Sequence, residues 1–228
     1  MLNAIVTGAS SGIGKDICKK LIDLGYLVIG ISRKNPSIDK LIWIKADLSK
    51  KEEIESVIQE IKEKFKSINL LINNAAIMKT NKILNLPFED ISESLILNVC
   101  SPIYITSLLT KLLIKGKASV VFIGSVASEL DIPGELIYST TKAALSKVNS
   151  GFASELTRLG IKFIEIRPSI CKTPMTADLD QQSIDYMISK TSNKKLLDLD
   201  SISKTVISCI SLPITSSGSI IYCGGIKR

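Results

Sequence analysis

The stretch that decides the fold is Ala4-Ile5-Val6-Thr7-Gly8-Ala9-Ser10-Ser11-Gly12-Ile13-Gly14, near the start of the chain. Three apolar residues are followed by a glycine-rich turn, and residues 15–24 then carry apolar side chains at helical spacing. Glycines permit a tight turn in which backbone N–H groups approach a phosphate, and a helix N-terminus adds partial positive charge. The G-x-x-x-G-x-G spacing differs from the G-x-G-x-x-G dinucleotide fingerprint. Its position between a strand and a helix still predicts a dinucleotide-binding fold.

Strands and helices alternate along the rest of the chain. Strands are predicted at 26–31, 41–46, 69–72, 118–123, 161–166 and 219–222, and helices at 49–65, 89–115, 135–159 and 195–212. This alternation predicts an α/β fold: a parallel sheet of about seven strands with helices on both faces. No repeat or linker divides residues 1–228, so we expect a single domain.

Two local features of this plan are distinctive. Only residues 33–40 separate the second strand from the third, and Asn35-Pro36 favours a loop there. A parallel crossover normally takes a dozen or more residues, so we expect the usual crossover helix to be missing. Ser49 followed by Glu52 predicts a capping box at the start of the next helix.

Composition limits the classes of protein that the chain can represent. Of its 228 residues 45% are hydrophobic and 22% charged, as in an ordinary globular protein. No continuous apolar run approaches the ~18 residues of a membrane span. Five dispersed cysteines and the absence of histidine exclude zinc sites and Ser-His or Cys-His nucleophiles, so no metal site is expected. The cysteines fit a reducing compartment, and no signal peptide precedes the first strand, so we expect a cytoplasmic protein.

The net charge of +7 has two interpretations. The lysines are spread along polar helix faces, which favours a solvated surface. The alternative is an anionic partner, such as a phosphorylated cofactor, an acidic carrier protein or a nucleic acid. No nucleic-acid-binding motif is present, so we expect no nucleic acid as a partner. We also expect no membrane, because no apolar run is long enough to span one.

A tyrosine and a lysine stand four residues apart in Tyr138-Ser139-Thr140-Thr141-Lys142. On a helix they share a face. A free tyrosine has a pKa of ~10 and a neighbouring cation lowers it, so the pair could exchange a proton with a substrate oxygen. The alternative is a chance pair, since this spacing is common on helices.

Three further polar positions allow two interpretations each. Asn98 lies among apolar neighbours and needs hydrogen-bond partners, as a structural link or as a site residue. Arg33, with Ser32, ends the second strand where an NAD-binding fold carries an acidic residue, which favours a 2′-phosphate; alternatively it begins a solvated loop. Asp47 could accept from an adenine amino group or serve in a turn.

The ordered set of T-G-x-x-x-G-x-G at 7–14, N-N-A at 73–75, Asn98, Ser125 and Y-x-x-x-K at 138–142 resembles the short-chain dehydrogenase/reductase family, in its compact form on one Rossmann-type sheet. The resemblance covers essentially the whole chain, and it implies one doubly wound parallel sheet in the strand order 3-2-1-4-5-6-7. Ala76 and Ser169 depart from the family, which usually has glycine at both positions.

The resemblance implies a role for each matching residue. Tyr138 would be the general acid or base, Ser125 would bond the substrate oxygen, and Lys142 would bind the nicotinamide ribose and lower the Tyr138 pKa. Asn98 would hold a water in a relay to Lys142. The implied cofactor contacts are Thr7, Gly8, Ser10, Gly12, Ile13 and Gly14 for pyrophosphate and ribose; Ser32 and Arg33 for the 2′-phosphate; Asp47 and Leu48 for adenine; Asn74 and Ala75 for the adenosine ribose; and Pro168, Ile170 and Thr173, with Tyr138 and Lys142, for the nicotinamide end.

The implied activity is NADPH-dependent reduction of a ketone or aldehyde, either a 3-oxoacyl thioester, free or carrier-linked, or a small metabolite. NADP(H) is expected in preference to NAD(H). Alternatives are the oxidising direction or an epimerisation at the same site, and a non-catalytic NADPH-sensing regulator. The resemblance further implies a homotetramer or homodimer, and the polar segment around 174–195 is expected to be a short substrate lid.

Overall fold

The computed structural model describes residues 2–80, 83–177, 179 and 181–226. Within them seven parallel strands form one sheet in the order β3-β2-β1-β4-β5-β6-β7, which confirms the predicted fold. The strands are β1 Asn3–Thr7, β2 Leu27–Ser32, β3 Ile42–Lys45, β4 Leu70–Asn73, β5 Ser119–Ile123, β6 Lys162–Pro168 and β7 Ser219–Cys223.

Helices cover both faces of the sheet. They are α1 Gly12–Asp23, α2 Lys51–Lys64, α3 Phe88–Leu95, α4 Ser101–Gly116, α5 Leu136–Leu156, α6 Gln181–Ser189 and α7 Leu199–Ile210. Successive strand residues point to opposite faces, so Ile5 packs with α2, α4 and α5, whereas Val6 packs with α1 and α7. The sheet therefore separates two apolar cores.

The connection between β2 and β3 contains no helix, as the short spacing predicts. Ile38 and Leu41 from this connection pack instead against the core that α1 covers. The loop thus shields part of the sheet that a crossover helix would otherwise cover.

The capping box predicted at Ser49 and Glu52 is wrong. Helix α2 begins at Lys51, and its N-cap is Lys50. The Ser49 hydroxyl donates to Asp47 Oδ1 at 2.8 Å, and the Ser49 N–H donates to the same atom at 3.0 Å. A local turn around Asp47 therefore takes the serine that sequence spacing assigned to the cap.

The helix predicted at 89–115 is interrupted at its centre. A π-helical turn, Ile96–Cys100, joins α3 to α4 and contains Asn98. By length and composition alone the continuous helical segment Phe88–Gly116 could cross a membrane. From the sequence we expected no membrane span, because no uninterrupted apolar run is long enough. Core helices of globular proteins pass the same test, and Leu109 and Leu113 of α4 are buried in the core beside the sheet.

The segment predicted as a lid carries two short helical elements. Of residues 174–195, Asp178 and Asp180 lie outside the described residues. The described part contains a 3-10 turn, Pro174–Thr176, and α6, whose Met187 is buried. The lid role remains a prediction.

Candidate active site

A cavity of about 270 Å³ lies along the carboxyl ends of the parallel strands. Ligands bind at this edge in doubly wound sheets because the loops after neighbouring strands converge there. The predicted residues that line it are Gly8, Ser10, Gly12, Ile13, Ser32, Arg33, Asp47, Leu48, Asn74, Ala75, Ser125, Tyr138, Lys142, Pro168, Ile170 and Thr173. Thr7, Gly14 and Asn98 are not among the residues that line it.

The glycine turn is packed too tightly for side chains at two positions. Gly8 has φ +68°, and a Cβ there would lie 2.9 Å from Ala75 Cα. A Cβ on Gly14 would lie 2.5 Å from the Gly8 carbonyl oxygen. Gly14 therefore acts by letting helix α1 start directly against the turn.

Thr7 and Asn74 join this turn to the segment after β4. The Thr7 hydroxyl accepts from the N–H groups of Asn74 at 2.9 Å and Ala75 at 3.0 Å. In return Asn74 Nδ2 donates to the Thr7 carbonyl oxygen at 2.9 Å. Thr7 therefore does not line the cavity itself but positions Asn74 and Ala75, which do.

The first turn of α1 faces the cavity through Gly12 and Ile13. The Ser11 side chain, at the N-cap, makes no capping hydrogen bond to any described residue. Backbone N–H groups at an uncapped helix start favour an anion. The backbone N–H donors at the start of α1 and the lack of side chains at the glycines of the turn thus fit the pyrophosphate of a dinucleotide.

Arg33 follows the carboxyl end of β2 and is exposed, and Asp47 lies close enough for the two charges to interact. Burial raises the pKa of Asp47, but hydrogen bonds from Ser49 and the charge of Arg33 outweigh burial and lower it overall. The carboxylate of Asp47 accordingly serves the turn already described. Ser32 stands where an NAD-binding fold carries an acidic residue, and its hydroxyl donates to the Lys34 carbonyl oxygen at 2.8 Å.

Ser125 and Tyr138 meet on the opposite wall. Ser125 follows β5, and its Oγ accepts from the Ala127 N–H at 3.1 Å. Burial raises the pKa of Tyr138, and the charge of Glu135 adds to this; a hydrogen bond from Ser125 acts in the opposite direction. The phenol is therefore protonated at neutral pH and can act as a proton donor.

Lys142 is only 3% exposed. Its Nζ donates to the Ile123 carbonyl oxygen at 2.7 Å and lies 5.6 Å from the centre of the Tyr138 ring. Burial lowers the pKa of Lys142 to about 8, opposed by the charge of Glu165. From the sequence we expected Lys142 to lower the Tyr138 pKa, but that pKa is raised because burial of the phenol dominates.

Asn98 forms a structural link in the π-helical turn. Its Oδ1 accepts from the Ile77 N–H at 2.9 Å, and its Nδ2 donates to the Ile77 carbonyl oxygen at 2.8 Å and to Thr141 Oγ1 at 3.0 Å. Both amide hydrogens are thus used to join the segment after β4 to α5. Its predicted part in a water relay remains a prediction.

Sequence reasoning missed Glu135, which lines the cavity and is 3% exposed. Burial raises the pKa of its carboxyl to about 7. Its place three residues before Tyr138 was the signal that could have identified it. The apolar wall beside it carries no such signal, because its residues come from separate segments: Leu130, Ile132, Cys171, Leu179 and Met187.

Known proteins resemble this chain over most or nearly all of its length. The family model described as short chain dehydrogenase matches residues 2–184. The 3-oxoacyl-acyl-carrier-protein reductase FabG of Buchnera aphidicola subsp. Baizongia pistaciae is 30% identical over 97% of this chain and 95% of its own. Carbonyl reductase family member 4 of Xenopus laevis is 27% identical over 97% and 96%. The structure of 4-hydroxyisoleucine dehydrogenase complexed with NADH shares the fold, with a TM-score of 0.90 and 24% identity over 99% and 98% of the two chains.

Proposed function

Since this chain belongs to the short-chain dehydrogenase family, we propose that it is an NADPH-dependent reductase of a ketone or aldehyde. Members of the family are oxidoreductases that bind a nicotinamide cofactor. The observation that carries the proposal is the placement of Ser125, Tyr138 and Lys142 on the wall of the cavity that also contains the glycine turn.

The residues that would bind the cofactor line the cavity at the carboxyl ends of the strands. The N–H groups at the start of α1, with Gly8 and Ser10, would hold the pyrophosphate, and Pro168, Ile170 and Thr173 would flank the nicotinamide. When bound, the reduced cofactor supplies a hydride to the substrate carbonyl carbon. The protein's task is to orient the carbonyl and to manage the proton.

Tyr138 is the proposed proton donor. Its raised pKa keeps the phenol protonated at neutral pH, as reduction of a carbonyl to an alcohol requires. Ser125, which bonds the phenol, would also bond the substrate oxygen and stabilise the negative charge that develops there. Lys142, buried behind them with a pKa of about 8, would bind the nicotinamide ribose and return a proton to Tyr138.

A preference for NADP(H) over NAD(H) is part of the proposal. Arg33 is exposed at the cavity mouth, and Ser32 precedes it in place of an acidic residue. A guanidinium can pair with a 2′-phosphate, which a carboxylate would repel.

The substrate class is proposed as a 3-oxoacyl thioester, free or carrier-linked, or a small carbonyl metabolite, because both kinds of reductase are among the relatives. We also propose a cytoplasmic enzyme, since the five cysteines are unpaired, and a lid formed by the segment around α6. A homotetramer or homodimer would cover Leu95, Ile96 and Leu136, which are exposed apolar residues on α3 to α5.

The test is NADPH oxidation with a panel of carbonyl substrates, both free and thioester-linked. On the best substrate, Tyr138→Phe should reduce kcat by ~10²–10⁴-fold while NADPH binding, followed by fluorescence, stays nearly unchanged. Tyr26→Phe is the matched control because Tyr26 lies at the amino end of β2, away from the cavity. Turnover that survives Tyr138→Phe contradicts the proposal.

A further inference from the structure

Glu135 brings a carboxyl group to a part of the cavity wall that is otherwise largely apolar. Leu130 and Ile132, from the segment before α5, and Met187, from α6, line the same cavity. Glu135 lies close enough to Tyr138 for its charge to act on the phenol. A carboxyl at this point is costly, since removing it from water disfavours the ionised form.

Among the described residues, the Glu135 side chain has no structural role that we can identify. Glu135 is the N-cap of α5, but its carboxyl makes no capping hydrogen bond to a described residue. Its backbone instead completes the start of the helix: the carbonyl oxygen accepts from the Ser139 N–H at 2.8 Å, and its N–H donates to the Ile132 carbonyl oxygen at 3.1 Å. An alanine would supply the same backbone groups.

One oxygen of the carboxyl is left without a partner. Oε1 of Glu135 is buried and has no hydrogen bond within the described part of the chain. Buried polar atoms are nearly always paired, and exceptions call for an explanation. Oε1 is closed off from the cavity as it stands, but other atoms of Glu135 line it, so rotation of the carboxyl about its terminal torsion can bring an oxygen to a donor on a bound molecule.

We propose that Glu135 accepts a hydrogen bond from a hydroxyl or amino group that the substrate carries near the carbonyl reduced at Tyr138. The proposal rests on the proposed function and narrows its substrate class. The carboxyl can accept from a hydroxyl whether it is ionised or protonated, whereas a contact with an ammonium group is strongest when the carboxyl is ionised. Glu135 then acts as a specificity residue, since a substrate without the donor leaves the buried oxygen unpaired.

The experiment compares three ketones with equal numbers of heavy atoms: hydroxyacetone, aminoacetone and butan-2-one, with an acetoacetyl thioester as a fourth substrate. The values of kcat and KM are measured with NADPH for the wild type, Glu135→Gln and Glu135→Leu. Glu155→Gln is the matched control, because Glu155 lies exposed on the same helix.

The wild type should favour hydroxyacetone or aminoacetone over butan-2-one by ~10–100-fold in kcat/KM, the range expected for one unpaired buried polar group. Glu135→Leu should abolish this preference by raising KM for the favoured ketone, with NADPH affinity unchanged. A loss in Glu135→Gln for aminoacetone alone identifies an ammonium donor. A preference for hydroxyacetone that is kept in Glu135→Gln and lost in Glu135→Leu identifies a hydroxyl donor.

The outcomes separate the two proposals. If the wild type reduces carbonyls but its preference is the same in Glu135→Leu, the role of Glu135 is wrong and the proposed function stands. The same holds if the acetoacetyl thioester is the best substrate and neither substitution affects it. If the wild type reduces no carbonyl, the proposed function fails and the inference fails with it. Should Glu135→Leu not fold, Glu135→Ala, which also removes both acceptor oxygens, supplies the same comparison.

Discussion

Replacing the Glu135 carboxyl with an amide should stabilise the protein, and increasingly so at higher pH. Burial raises the pKa of this carboxyl from 4.5 to about 7, so the folded protein holds its proton more tightly than the unfolded chain does. Below about pH 4.5 the group is protonated in both states and carries no penalty. As the pH rises toward about 7 the unfolded chain loses the proton first, which favours unfolding.

The expected size follows from the same two pKa values. At 1.36 kcal/mol per pH unit, a change from 4.5 to about 7 lowers the free energy of unfolding by about 3 kcal/mol once the group is ionised. Glu135→Gln has a similar shape and no ionisable group, so it escapes this loss. At roughly 2–4 °C per kcal/mol for a protein of this size, the melting temperature should rise by about 6–12 °C.

The assay is thermal or urea unfolding of the wild type and Glu135→Gln at about pH 5 and at about pH 8. The two proteins should differ little near pH 5, and the variant should be more stable near pH 8. Glu155→Gln corrects for the loss of a surface charge. A stability difference between Glu135→Gln and the wild type that is the same at both pH values, or a less stable variant near pH 8, refutes the reasoning.

Arg33→Ser should weaken NADPH binding by ~10-fold or more while leaving NADH binding nearly unchanged, because in the proposed complex the guanidinium would pair only with the 2′-phosphate; fluorescence titration measures both, and equal losses contradict this. Asn98→Ala should lower the free energy of unfolding by about 1–3 kcal/mol, since the Ile77 backbone groups and Thr141 lose buried partners. Denaturant unfolding tests this, and unchanged stability means that Asn98 is not a structural link. Light scattering at micromolar concentration should show a tetramer or dimer, and a monomer excludes the proposed assembly.

Much of the fold was predictable because its signals are local. The glycine turn reveals itself in eight consecutive residues, 7–14, and a parallel strand buried on both faces is apolar throughout. The missing helix after β2 follows from the number of residues available. The capping box at Ser49 failed because two arrangements competed for the same hydroxyl, and the nearby carboxylate of Asp47 prevailed.

The sequence predicted most of the candidate site residues that line the cavity, but it did not predict how burial changes their pKa values. Ser125, Tyr138 and Lys142 were identified by the motif and the family resemblance, and the structure brings them to one cavity. Thr7 and Gly14 do not line this cavity but pack behind its wall, and their contact with the cofactor remains a prediction. Spacing reports which face of a helix a residue occupies, and it does not report how deeply that face is buried.

The sequence by itself determined the α/β class, the missing helix between β2 and β3 and the position of the glycine turn, and it named Ser125, Tyr138 and Lys142 as candidates for proton transfer. Only the tertiary structure decided their acid–base state, including the raised pKa of Tyr138 and the lowered pKa of Lys142, and left one oxygen of the Glu135 carboxyl buried without a partner among the described residues. The physical reason is desolvation. Its strength depends on how much water the surrounding segments exclude, and here those segments, such as α6 and the loop after β6, are distant in sequence.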